Sequence, residues 1–134
     1  MIEFIVLAVT LAVPLAYLVL AVFDIQRAAY GANSATREAA RVFVLAPSTA
    51  QAEQQARDAA QVALADQGLS VSDGSFTISC SASPCLTPGA RVQVSFRTLV
   101  RLPLLPGFVA GDIASVPVSA SHTETVDVYA ELRP

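Results

Sequence analysis

The stretch Phe4 to Phe23 (FIVLAVTLAVPLAYLVLAVF) holds no charged residue in twenty positions. Twenty residues at about 1.5 Å each span roughly 30 Å, the thickness of a bilayer's hydrocarbon core. In that medium each backbone group must find its partner within the segment, so a single crossing stretch has to be a helix. One acid, Glu3, stands at its start, and one proline, Pro14, near its middle. The proline removes the bond its nitrogen would donate to the Thr10 carbonyl, which predicts a kink there.

The helical pattern continues from Asp24 to Val44 with no proline and a single glycine, Gly31, but its character changes. Small residues recur at Ala28, Ala32, Ala35 and Ala39, followed by Val42, in a spacing that lays a narrow seam on one face. Such a seam, with Gly31 beside it, lets a second helix come close. Two occupants fit: a helix of a neighbouring subunit, or the chain's own globular part. Asp24 with Arg27, and Glu38 with Arg41, are spaced to pair on the solvated side, each worth a few tenths of a kcal/mol.

A chain of 134 residues that spends its first forty or so on one helix has room for one small head. The expected division is an N-terminal helix over residues 1–46 and a head over 47–134. Hydrophobic content of 54% with 14% charged residues is too apolar for disorder, and the excess sits in the N-terminal stretch. The net charge of -3 and the scatter of the eight basic residues, all arginine, argue against a nucleic-acid partner.

A secretory signal has a basic leader and a shorter apolar core, whereas only Met1 and Ile2 precede Glu3 here, so the segment reads as retained in the product. No basic residue precedes it to set its orientation, which suggests that a leader has been cut away or that the numbering begins inside the gene product. Cys80 and Cys85, the two cysteines of the chain, enclose Ser-Ala-Ser-Pro. A disulfide across this loop would contribute about 2 kcal/mol in the chain-entropy picture and persist outside the cytosol. The competing reading is a metal site, for which one histidine is too few to complete four ligands.

Past Leu-Ala-Pro-Ser a second helix is expected from Thr49 to Gln67. Ser48 and Gln51 form a capping box, and Gly68 and Leu69 supply a Schellman end returning toward Leu64. Its thin apolar stripe reads as Ala52, Ala56, Ala59 and Ala63. From Ser70 on the period falls to two. Phe76, Ile78 and Cys80 alternate with Ser75, Thr77 and Ser79, while Val92, Val94, Phe96, Thr98 and Val100 alternate with polar positions. The run Val116 to Leu132 carries His122 and Glu124 on its apolar face and is long for one strand, so a break near Ser121 to Thr125 and two strands are expected. The connection Leu102 to Asp112 is a loop with apolar Leu104, Leu105, Phe108 and Val109. The whole is an α+β chain with a small antiparallel sheet.

No nucleophile elbow, phosphate loop, zinc-protease motif or carboxylate pair is legible, and no cofactor is implied. A hydrolase would rest on His122 with Glu124 two residues away, a pattern more often a solvated pair. Arg91, Arg97 and Arg101 share one strand face and suit a polyanion, but Asp127 and Glu131 are placed to pair with them across the sheet, and that reading is preferred. No enzymatic activity is expected.

Glu3-Phe4 opening an uncharged helix, a proline near its centre, and the run Arg37 to Arg41 (Arg-Glu-Ala-Ala-Arg) in its later turns together resemble a pilin of the type IV class. More narrowly, they resemble the TadE-like proteins of tight-adherence (Tad) pili. The likeness covers about the first 45 residues; the head, with its Leu-Pro-Gly loop and the Ser-Ala-Ser run at 119–121, matches loosely. In the family the acid is the fifth residue after the prepilin peptidase cut, while here it is the third and the leader glycine is absent. The resemblance implies a structural, non-enzymatic subunit, a minor rather than a major pilin. It is held in the inner membrane before assembly and on the cell surface afterwards, with other pilin subunits as partners through bundled helices. It also implies that Glu3 answers the free amine of a neighbour, with Phe4, Pro14, Ala28, Gly31, Ala32, Ala35 and Ala39 as assembly residues. The alternative is a membrane-anchored extracytoplasmic binding domain that does not polymerise.

Overall fold

The computed structural model describes residues 1–102 and 115–132. Its first helix, α1, runs Ile2–Leu45, 44 residues, or about 66 Å at 1.5 Å per residue. The apolar half and the mixed half are thus one continuous element, and Pro14 lies inside it. It ends at Ala46, which takes the extended conformation that a following proline imposes.

The second helix, α2, spans Thr49–Ala65. Ser48 caps it by accepting from the Gln51 N–H at 3.4 Å. The return bond from the Gln51 side chain is not made, so half of the expected box forms. At the other end the Schellman arrangement is complete: Gly68 adopts φ +71°, its N–H reaches the Ala65 carbonyl, and the Leu69 N–H reaches that of Leu64 at 2.9 Å. Only glycine takes this left-handed position without a Cβ penalty. The buried row is Ala52, Ala56, Ala60 and Leu64, with Ala59 and Ala63 half-buried. This corrects the expected stripe. A strict four-residue repeat follows a ridge inclined to the helix axis, the geometry by which one helix seats on another.

A single 3-10 turn, Val71–Asp73, leads into the sheet. Gln61 of α2 ties it down, its Oε1 accepting from the Val71 N–H and the Ser70 hydroxyl, both at 3.0 Å. Three antiparallel strands follow in the order β1 (Gly74–Cys80), β2 (Arg91–Arg101) and β3 (Ser115–Thr125). Phe76 faces Phe96, and Phe96 faces Ala120 across the next ladder. The period-two pattern is obeyed throughout: Phe76, Val92, Val94, Phe96, Thr98, Val118 and Ala120 are buried, and the intervening positions are mostly exposed.

The expected break near Ser121 to Thr125 does not occur, for β3 runs through it as one strand. His122 and Glu124 do lie on the inward face, opposite Val94 and Val92. They stay half-exposed at the end of the sheet and bond to each other at 3.2 Å, which removes the cost of facing inward. The chain turns only after Val126, which exchanges backbone bonds with Ala90 and Gly89. Asp127 then accepts from the Tyr129 N–H at 2.9 Å. The second expected strand is replaced by this turn. Of the apolar connection Leu102 to Asp112, everything from residue 103 on, including Leu104, Leu105, Phe108 and Val109, lies outside the described residues.

Both helices lie on one side of the sheet. α1 packs against α2, β2 and β3, and Arg57 of α2 stacks over the Phe76 ring of β1, 5.4 Å from its centroid. One core joins Phe43 and the alanines of α1 to Leu64 of α2, to Val92, Val94 and Phe96 of β2, and to Leu86 and Val126. The core therefore crosses the boundary placed after residue 46: the second half of α1 is part of the head. The architecture is α+β, a long N-terminal apolar helix followed by a second helix and a small antiparallel sheet.

Candidate functional site

The two halves of α1 have opposite surroundings. From Ile2 to Leu20 every side chain but the half-buried Tyr17 is exposed, Phe4 at 77% and Leu11 at 71%. Burial begins at Ala21 and becomes regular from Ala28. The head thus ends its cover close to where the uncharged stretch ends. What it leaves bare is long and apolar enough to cross a membrane.

Within the bare half, polar groups are few. Glu3 lies in the first turn, where a carboxylate interacts favourably with the unpaired amides of the helix start. It makes no ion pair among the described residues. Glu3, Val6, Leu7, Thr10 and Leu11 line one side of the helix. The Thr10 hydroxyl donates to the Val6 carbonyl at 2.7 Å, so it is satisfied within the helix. The group released by Pro14 is then the Thr10 carbonyl, since proline has no N–H to offer it.

The small-residue seam has its occupant. Ala28, Ala32, Ala35 and Ala39 are buried against the chain's own α2 and sheet, as is Gly31. A Cβ on Gly31 would stand 3.1 Å from the Gln67 Cβ, so the glycine permits close approach of the end of α2. Within the protomer these five positions, expected to serve assembly, are taken up by the chain's own packing. The arc is also wider than a seam, for Thr36, Ala40 and Phe43 are buried while Val42 is only partly so. A helix set in the angle between a second helix and a sheet buries about half its circumference rather than a narrow line. Thr36 meets that burial by donating to the Ala32 carbonyl at 3.0 Å. Asp24 pairs with Arg27 at 3.5 Å as expected, whereas Glu38 and Arg41 form no pair.

Cys80 and Cys85 form a disulfide with a Cα–Cα distance of 5.3 Å, which sets the metal reading aside. It closes the end of β1, where the Ser81 hydroxyl accepts from the Arg91 N–H at 2.8 Å. The His122 side chain has one hydrogen-bond partner among the described residues, Glu124, and no serine side chain joins them. The expected cross-sheet pairs of Arg91, Arg97 and Arg101 do not form. Asp127 and Glu131 fall beyond the end of β3, and the arginines instead face Thr125, Ser119 and Ser115.

No family model, curated protein or solved structure matches this chain.

Proposed function

We propose that the chain is a structural, non-enzymatic pilin subunit of a Tad or type IV-like extracellular filament, in the manner of a TadE-like minor pilin. The observation that carries this reading is the division of α1: one half is built into the head, the other is apolar, exposed from Ile2 to Leu20 but for the half-buried Tyr17, and headed by a single carboxylate. Uncovered apolar surface of this extent requires a partner phase, first lipid and then the same half-helix of other subunits. A carboxylate entering that phase is costly unless it is paired, and the N-terminal amine of a neighbouring processed subunit supplies the pair. Assembly residues on this reading are Glu3, Phe4 and Pro14, since the alanine seam is already occupied. The subunit is held in the inner membrane before assembly, processed by a prepilin peptidase, and then displayed at the cell surface. The disulfide accords with the head lying outside the cytosol.

The same bare helix also suits an extracytoplasmic binding domain that stays anchored as a monomer. Imaging of sheared extracellular material separates the two: fibres containing this chain support the pilin, and a chain found only in the membrane fraction supports the anchor.

A further inference from the structure

We propose that the outward face of the sheet is a docking surface for a linear, carboxylate-bearing polysaccharide. Both helices lie on the opposite side, and among the described residues nothing covers this face. Its central strand presents Arg91, Arg97 and Arg101, all exposed and none in an ion pair among the described residues. At about 3.3 Å per residue they stand roughly 20 Å and 13 Å apart in one line. The flanking outward positions of β1 and β3 carry no charge: Ser75, Thr77 and Ser79 on one side, Ser115, Ser119, Ser121, Thr123 and Thr125 on the other, with Pro117 between. The chain as a whole has a net charge of -3, so a face with three cations and no acid at its outward strand positions is not a consequence of composition.

A depression of about 480 Å³ opens on this face where Leu99 and Pro117 pair directly, with Arg97 and Ser119 beside them. Gly74 lines its edge. The one acid at its margin, Asp73, is engaged by the Ser70 N–H at 2.7 Å.

Each element of this surface matches part of an acidic sugar chain. The guanidinium fork fits a carboxylate with two parallel hydrogen bonds. Serine and threonine hydroxyls donate to and accept from sugar hydroxyls. The Leu99–Pro117 floor offers apolar contact to the C–H side of a ring. Nucleic acid fits less well. The outward strand positions hold no aromatic side chain for base stacking, and three charges over about 33 Å are sparse against a duplex carrying one charge per 1.7 Å.

The test is binding of the detergent-solubilised full chain to immobilised polygalacturonate, with neutral dextran and duplex DNA alongside. It is made on the protomer, so its outcome is separate from whether the chain polymerises. Binding to polygalacturonate that weakens with salt is expected, with no binding to dextran. Arg97→Ser should weaken it about tenfold, and Arg97→Lys by less, because charge remains while the fork is lost. The combined Arg91→Ser, Arg97→Ser and Arg101→Ser variant should abolish it with an unchanged melting temperature, since all three are exposed. Equal binding by that variant, equal retention on dextran, or no binding to polygalacturonate at low salt would overturn the inference. DNA held as tightly as polygalacturonate would overturn it in favour of a nucleic-acid surface.

Discussion

Gly31 of α1 faces Gln67, two residues beyond the end of α2, so closely that a Cβ on the glycine would lie 3.1 Å from the Gln67 Cβ and 3.2 Å from its Cγ. The contact locks the second half of α1 to the Schellman turn at Gly68. Alanine at position 31 gains about 1 kcal/mol of helix propensity and gives part of it back to this crowding, leaving a small net change. A larger side chain has no such offset. Gly31→Leu should lower stability by about 1 to 3 kcal/mol, read as a fall in the melting temperature of the detergent-solubilised chain.

Ala35 is fully buried between α1 and its own head. Ala35→Leu should therefore destabilise the protomer by about 1 to 3 kcal/mol, before any question of assembly arises. Thermal unfolding of wild type and variant in the same detergent decides this. A variant that unfolds with wild type but fails to assemble would return the seam to an intersubunit role.

Because the core draws on Ala28 to Phe43 as well as the sheet, truncation should reveal where the folding unit begins. A chain starting at Asp24 should fold and stay monomeric without detergent, having lost the apolar half, in which Ala21 is the buried residue and Tyr17 is half-buried. One starting at Pro47 loses Phe43 and the α1 alanines and should not fold. Circular dichroism and sedimentation of the two fragments give the answer, and a folded 47–134 fragment would refute the shared core.

The Cys80–Cys85 bridge closes a short loop, so its contribution is about 2 kcal/mol in the chain-entropy picture. Thiol labelling of the unreduced protein should find no reactive cysteine. Cys80→Ser with Cys85→Ser should lower the urea midpoint without altering the sheet.

Much of this architecture was legible in the residues. Period-two burial from Phe76 to Val118, the glycine turn at Gly68 and the bare apolar stretch all follow from local patterns, and each is found. What local pattern misread were choices made by tertiary packing. Val42 and Phe43 are adjacent in sequence, and only the placement of α2 and the sheet on two sides of α1 selects Phe43 for the core. His122 and Glu124 look like a strand breaker until their mutual bond at the sheet's end is seen. Asp127 and Glu131 fit an outward strand face, but the chain leaves the ladder after Val126. Glu3 and Pro14 can be located from sequence, but the partner of Glu3 would come from another chain, and no single-chain pattern encodes it.

The claim that the bare half of α1 assembles through its carboxylate is tested most directly with Glu3→Gln. The substitution removes the charge, makes membrane insertion easier and, on the proposed pilin reading, would deprive a neighbour's amine of its partner. The measurement is the amount of this chain in sheared extracellular fibres, compared with the membrane fraction, in cells producing wild type or Glu3→Gln. Fibres from wild type, and retention of Glu3→Gln in the membrane with few or none, is the predicted result. Fibres from Glu3→Gln at wild-type yield would contradict it.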